Sequence, residues 1–377
     1  MPKFLNLQPE VFAIDINDLS LKIALIRKKH KAFELVSYGD MPMRSDVVKE
    51  GVIQDQDMLA KTIRVAYRSV KGKSLSTPYV VIALPEEKSF SQVIQMPVMS
   101  EKELASAVPF ELENYIPLPI DKVYLDFQTI DSHEKKSGAI KEKQGHLDLL
   151  VSAVPKTVVD AYVASVKKAG LVPCVMEVES QAITRALLKN GRQQKPMIFI
   201  DFGETRTSFI IYSGNSIRFT SSIPISSSQL TRAIAEKLRI SFDKAEMLKI
   251  KHGLVTHKGD DDHDIASAMD AILSELAIQV KKYISFYQGH VSYEYFSIDS
   301  SIEKIVLSGG GANLKELPDF LTKKLKIPVE LADPVSNIFK DQSRIFSKIS
   351  PQKALSFTTV LGLALRGADH TQNGYSL

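Results

Sequence analysis

Residues 11–26 read VFAIDINDLSLKIALI, and residues 197–212 read MIFIDFGETRTSFIIY. Laid over one another, Asp15 falls on Asp201, Asn17 on Gly203 and Asp18 on Glu204. Each stretch is an apolar run ending in an acid, a short polar turn and a second apolar run. That order predicts a β-hairpin with a carboxylate at the end of its first strand. A carboxylate among apolar residues is costly to bury unless it has a partner or a task. Meeting the pattern twice in one chain predicts a duplicated fold; the competing explanation is chance likeness of two hairpins.

A third element follows at 302–325, IEKIVLSGGGANLKELPDFLTKKL: a strand, a glycine triplet and an amphipathic helix. Glycines after a buried strand let a ligand approach the backbone unobstructed, and the plainer reading is a tight strand-to-helix turn. Apolar residues at helical spacing predict helices at 55–70, 100–116, 155–171 and 179–191, with strands at 77–84, 122–130 and 146–154. Strands alternating with helices indicate an α/β protein. The polar stretch 131–146 reads as an exposed hairpin loop. THKGDDDHD (256–264) reads as a surface loop, in preference to a metal cluster of His257, Asp260, Asp261, Asp262 and His263. Two hairpin turns facing each other across a cleft can bind a nucleotide's phosphates through backbone N–H groups. The acids behind them can hold Mg²⁺ through waters.

At 377 residues the chain is longer than one core usually covers, which predicts two lobes. Pro196 and the preceding GRQQK mark the hinge, giving an N-terminal lobe 1–194 and a C-terminal lobe 195–377. A net charge of +4, from 48 basic and 44 acidic residues, argues against a nucleic-acid partner and permits only weak attraction to anionic membranes. One cysteine, Cys174, excludes an internal disulfide and fits a reducing compartment. Neither a signal pattern nor an apolar run of about 18 residues is present. The expectation is a cytoplasmic protein with no direct membrane insertion.

The order DI, DFGETRTS, a helix with KAEMLK and then IVLSGGGANL resembles the actin-like ATPase superfamily, with its duplicated ribonuclease H-like fold. Within it, residues 81–130, 230–249 and 360–368 (VLGLALRGA) are similar to the PilM family of type IV pilus assembly proteins, related to FtsA. The resemblance implies an insert subdomain at about 79–150 in the N-terminal lobe and a helical and strand subdomain at about 228–298. It implies ATP and Mg²⁺ as ligands, with Asp15 and Asp201 near the metal. Asn17 and Lys22 would belong to the first phosphate motif, and Gly203, Thr205 and Thr207 to the second. Glu179 would orient the attacking water, although an acid favoured by a helix N-terminus is an equal alternative. Glu246 and Lys249 would flank the adenosine, and Gly309, Gly310, Gly311 and Asn313 would form its turn. Two of these have plainer alternatives: a turn-capping acid at Asp201 and a solvated helix face at Lys249.

The chain departs from the family pattern in two places. Asn17 stands for a turn glycine, an exchange that positive φ tolerates best, and Asp18 would repel a phosphate lying beside it. PISSS (224–228) replaces a glycine pair, so Ser226 to Ser228 narrow the cleft. Both changes weigh against turnover more than against the fold, and imply ATP binding with weak or no ATPase activity. The family resemblance also implies a partner: the short N-terminal cytoplasmic segment of a PilN-like inner-membrane protein, alongside other pilus assembly proteins. In the matching region, NYIPLP (114–119) offers Tyr115 and Ile116 with two prolines as a docking edge, or else an ordinary helix-to-strand loop. The ending HTQNGYSL lacks an amphipathic helix of the kind that tethers FtsA, so membrane contact would come through PilN. Two alternatives stay open: a nucleotide-free scaffold with degenerate phosphate motifs, and a sugar-kinase-like phosphotransferase, for which no acid is placed as base.

Overall fold

The structure is a computed structural model and describes residues 9–29, 32–113, 115–130, 146–188, 193, 195–255, 260–290, 301–342, 345 and 348–369. The chain opens with a meander, β1 (Phe12–Ile16), β2 (Ser20–Lys29) and β3 (Ala32–Pro42), then a small hairpin, β4 (Val48–Lys49) and β5 (Val52–Ile53). Next come α1 (Gln56–Arg68), β6 (Lys71–Gly72), β7 (Tyr79–Leu84), β8 (Phe90–Pro97), α2 (Glu101–Leu112), β9 (Val123–Ile130) and β10 (His146–Pro155). α3 (Lys156–Lys168), β11 (Val172–Val178) and α4 (Glu179–Leu187) follow.

A second meander, β12 (Met197–Phe202), β13 (Thr207–Ser213) and β14 (Ser216–Ile223), precedes α5 (Ser227–Leu238), α6 (Phe242–His252) and α7 (Asp260–His290). The chain then runs through β15 (Lys304–Ser308), α8 (Leu317–Leu325), β16 (Val329–Leu331) and α9 (Pro334–Ile338), and ends in helices Pro351–Ser356 and Thr358–Ala368.

The duplication is visible in the sheets. One has the order β11-β7-β1-β2-β3-β6, and the other β16-β15-β12-β13-β14-β8-β10-β9. In each, an antiparallel meander lies beside a parallel strand: β1 beside β7, and β12 beside β15. Alternation with period two sends the strand residues to opposite faces. Phe12 and Ile14 of β1 pack with Ile63 of α1 and Tyr162 of α3. Ala13 faces the other way, in one core with Ala182 of α4 and Val360 of the last helix. The second sheet is covered by α5, α7 and α8 through Leu230, Leu273 and Leu321.

The insert does not stand apart. Its strands β8, β10 and β9 continue the second sheet past β14, with Phe219 opposite Gln92 and a buried Arg218–Asp148 ion pair at 3.1 Å. α2 covers this extension through Leu104, Val108 and Leu112. Ile116, expected on a docking edge, is buried in that same small core, because the chain turns inward after α2. The surface loop expected at 256–264 is also shorter than the sequence suggested, since α7 already begins at Asp260. Asn114, residues 131–145, His257 and the ending 370–377 lie outside the described residues.

Candidate functional site

The first hairpin turn closes with Asn17 N–H donating to Ser20 O at 2.9 Å, and Asp15 stands opposite Lys22 across the ladder. Asp15 is buried. Its Oδ2 accepts from Asn17 Nδ2 at 3.0 Å, while Oδ1 has no partner. Burial raises the Asp15 pKa, against the charge of Lys22 and the Asn17 hydrogen bond. Lys22 Nζ donates to Ser20 Oγ at 2.8 Å. Asn17 was expected at positive φ in a glycine's place, and it is not there; nor is Gly203. What Asn17 supplies is an amide on the acid.

Asp18 has a separate task. Its two carboxylate oxygens accept from Glu50 N–H at 3.1 Å and Gly51 N–H at 3.0 Å. Glu50 and Gly51 are the positive-φ turn between β4 and β5. Asp18 is thus committed to a neighbouring turn, which answers the repulsion expected of it.

The second turn closes in the same way, with Gly203 N–H donating to Arg206 O at 2.9 Å; Thr205 lies within it. A Cβ on Gly203 would stand 2.9 Å from that oxygen, so space and not φ requires glycine. Asp201 Oδ1 accepts from Ser308 Oγ at 2.8 Å. Its pKa is pushed up to about 6 by burial, opposed by Ser308, with the charge of Asp15 adding to the rise and that of Lys22 reducing it. The hydroxyl of Thr207 is already committed, donating to Ile225 O at 2.6 Å.

The PISSS run seats the start of α5 on this turn: Ser227 N–H donates to Gly203 O at 3.0 Å and Ser228 N–H to Glu204 O at 3.1 Å. Behind it, Lys249 is buried and not on a solvated face. Lys249 Nζ donates to Ser227 Oγ at 2.7 Å and Thr231 Oγ1 at 2.8 Å, and pairs with Glu246 at 2.7 Å. Burial lowers the Lys249 pKa against the pull of Glu246.

The glycine turn abuts the same strand. Gly309 has φ +85°, and a Cβ there would stand 2.5 Å from Phe202 O and 3.0 Å from Asp201 Oδ1. Gly311 similarly meets the Phe202 ring. These two glycines exist for packing on β12; Gly310 is exposed, and a Cβ there would meet only Ser356 Cβ at 3.9 Å. Asn313 Nδ2 braces the turn by donating to Gly310 O at 3.1 Å and Gln352 O at 2.9 Å.

Two functional candidates were missed in the sequence, Glu86 and Glu87, just past the end of β7. Parallel strands carry ligand sites at their C-terminal ends, and LPEE follows an apolar strand much as Asp15 does, so the signal was present. Glu86 and Glu179 hold each other: Glu86 N–H donates to Glu179 Oε2 at 3.3 Å, and Ser180 N–H to Glu86 Oε2 at 3.0 Å. α4 has no capping side chain of its own at Val178, so Glu86 supplies the acceptor its N-terminus needs. Glu179 is held well above the usual carboxylate range by burial, with the charges of Glu87, Asp15, Glu86 and Asp201 adding. Glu87 pairs with Arg206 of the second turn at 3.0 Å. Glu86 Oε1 and Ser180 Oγ, like Asp15 Oδ1, are buried without a partner.

Asp15, Lys22, Glu179 and Asp201 thus lie within electrostatic reach of one another, with Gly203 and the glycine turn beside Asp201 and with Glu246 and Lys249 behind α5. The donor set is all oxygen, which suits a hard cation. Among the described residues no three His, Cys, Asp or Glu side chains converge as a metal cage. Mg²⁺ keeps most of its waters and takes one or two carboxylates plus substrate phosphates, so the pair Asp15 and Asp201 is a donor set it could use. The orphaned Asp15 Oδ1 is a ready acceptor for a metal-bound water.

A separate cavity of about 280 Å³ lies where the insert meets α4, β13, β14 and the last helix, lined by Asp126, Phe127, Gln181, Arg185, Ile217 and Arg366 among others. On the outside of the insert, Phe110 and Tyr115 are exposed. None of the described helices is long and apolar enough to cross a membrane.

Comparison with known proteins agrees with this architecture. A family model described as type IV pilus assembly protein PilM matches residues 13–368. The chain is similar to the cell division protein FtsA of Helicobacter pylori, 29% identical over 220 residues covering 52% of this chain and 42% of that protein. It thus spans under half the length of that curated relative. Among solved structures it is similar to a PilM-PilN type IV pilus biogenesis complex, at TM-score 0.78 and 25% identity, covering 96% of this chain and 99% of that one. It also resembles MreB5 of Spiroplasma citri bound to ADP, at TM-score 0.50 and 13% identity over 90% of this chain and 97% of that one, a likeness of fold alone. The fold is the actin-like one, mixed α/β in two lobes with the insert.

Proposed function

We propose, since the chain belongs to the type IV pilus assembly protein PilM family, that it is an ATP-binding component of the pilus assembly platform that captures the N-terminal segment of a PilN-like inner-membrane protein. It would act in the cytoplasm and sit at the inner membrane through that partner. The observation that carries the nucleotide half is the pair of equivalent hairpins: each sets one acid at the same slot, and Asp15 keeps an unpartnered oxygen.

In this reading Mg·ATP would bind between the lobes, 1–194 and 195–377. Asp15 and Asp201 would hold Mg²⁺, which would supply neutralisation of phosphate charge. Lys22 and the turn residues Asn17, Gly203 and Thr205 meet the phosphates, while Thr207 acts from behind by fixing Ile225. Gly310, with Asn313 bracing its turn and Gly309 and Gly311 seating it on β12, faces the adenosine from one side, and Glu246 and Lys249 from the other. Glu179, gripped by the Glu86 amide, would orient a water; burial among like charges raises its pKa well above the usual carboxylate range.

The partner half is supported by the PilM-PilN complex among the structural relatives and by the cavity at the insert. That cavity offers apolar Phe127 and Ile217 beside Arg185 and Arg366, a mixture suited to an extended peptide. Calorimetric titration with the N-terminal peptide of the PilN-like protein from the same organism tests it. Binding at tens of micromolar or tighter is expected, lost in Ile217→Arg and kept in Phe110→Ser. No heat with the unaltered protein would sink the partner claim. A nucleotide-free scaffold is the second reading. It is favoured by the groups already spoken for within the chain: the Thr207 hydroxyl, the Lys249 ammonium, and the amides of Ser227 and Ser228.

A further inference from the structure

Because β1, β7 and β11 run parallel, one end of the first sheet carries Asp15, Glu86 and Glu179, and the other carries the strand starts. Cations collect at that other end. β2 finishes there with Arg27, Lys28 and Lys29, and the edge strand contributes Lys71, with Lys73 just beyond. α1 brings Arg64 and Arg68 in its last turns, and α3 ends on Lys167 and Lys168. Arg64 donates to Lys168 O at 2.7 Å, which joins the two helix ends into one surface.

The carboxylates nearby are Glu10 against Arg27, Glu34 opposite Arg27 in the ladder, Asp57 against Lys168 and Asp369 against Lys28. Among the described residues nine cations face four acids there, an excess of five. The pole is therefore strongly positive. Helix dipoles account for basic residues at the ends of α1 and α3. They do not account for Lys28, Lys29, Lys71 and Lys73, which sit on strand ends.

The pole has little to grip a folded protein. Among the described residues its exposed apolar side chains are scattered, Val65 on α1 and Val172 at the start of β11, without the clustered aromatic anchors that binding to a protein usually needs. Long, solvated lysines spread over a broad face match a surface whose negative charge is also spread out.

We propose that this pole adsorbs the protein to anionic phospholipid, by electrostatics alone and without insertion. The inference is independent of the nucleotide and peptide readings, because none of their residues lies in it. Each lysine or arginine near such a surface adds about 1 kcal/mol, and the attraction fades within a Debye length of about 10 Å at 0.1 M salt.

Co-sedimentation of the full chain with vesicles of phosphatidylcholine containing about one third phosphatidylglycerol is the test, at about 50 mM and about 300 mM salt. Binding is expected at low salt, at least about tenfold weaker at high salt, and absent with pure phosphatidylcholine. The triple reversal Arg68→Glu, Lys71→Glu, Lys73→Glu should abolish it. Lys102→Glu, Lys281→Glu, Lys323→Glu, with the same change in net charge elsewhere on the surface, should not. Matched melting temperatures show that both variants fold; if the first does not, the charge-neutral Arg68→Gln, Lys71→Gln, Lys73→Gln set takes its place. Equal loss in both sets, or no binding by the unaltered chain at low salt, overturns the proposal. Binding to a short DNA duplex as tight as to vesicles would overturn the assignment to lipid.

Discussion

The hairpins at 12–29 and 197–213 place an acid in the same register slot, and they surround it differently. Asp15 faces Lys22 and takes an amide from Asn17, so its first neighbours are a cation and a local donor. Asp201 faces Ser208 and takes a hydroxyl from Ser308 on the neighbouring strand, with no cation in its own ladder pair. The turns differ in the same sense. The first turn gives its carboxylate, Asp18, to the β4–β5 turn, while the second receives the amides of α5 on its carbonyls and sends Arg206 to Glu87. One hairpin is built from within, and the other leans on the elements around it. Duplication preserved the backbone slot and let the supporting contacts diverge.

The sharpest way to break that contrast is to remove the outside support of the second hairpin. Gly309→Ala adds a Cβ 2.5 Å from Phe202 O at a residue with φ +85°. A loss of about 3 kcal/mol or more is expected in urea denaturation, since both clash and backbone strain apply. A loss below about 1 kcal/mol would mean that the glycine turn does not bear on β12 as described.

Asp18→Ala comes next. It strips the acceptors from two turn amides, so about 2 kcal/mol is expected, while any response to nucleotide should be unchanged. A changed nucleotide response would return Asp18 to the phosphate site.

The smallest effect is in pH. Asp201 has a folded pKa of about 6 against an ordinary 3.8. A raised carboxylate pKa means the folded state holds the proton more tightly, so this stability is full below the ordinary value and is lost as pH rises through about 6. Between about pH 5 and pH 7 the group accounts for about 1 kcal/mol of lost stability in the absence of ligand. Asp201→Asn should flatten the slope by that amount in paired urea melts, and an unaltered slope would contradict the burial argument.

The sequence revealed the hairpins because an acid at the end of an apolar run is rare and was repeated. It revealed the glycine turn too, although two of its three glycines turn out to serve packing on Phe202 and not ligand approach. What stayed hidden depends on distance along the chain. Asp18 meets residues more than thirty positions away, and Glu86 caps a helix from the far side of the insert, so neither role has a local signal. Lys249 looked like an exposed helix residue because α6 alone does not show that α5 packs over it. Ile116 looked like an edge because nothing in NYIPLP says which way the chain turns after α2.

The central proposal is that Asp15 and Asp201 form one Mg·ATP site. Thermal unfolding with and without millimolar Mg·ATP tests it most directly, with Asp15→Asn run beside the unaltered chain, because a ligand that binds only the folded state must raise the melting temperature. A rise of several degrees is expected in the unaltered protein and none in Asp15→Asn. No rise in the unaltered protein, or an equal rise in both, would contradict the claim, the first result in favour of a nucleotide-free scaffold.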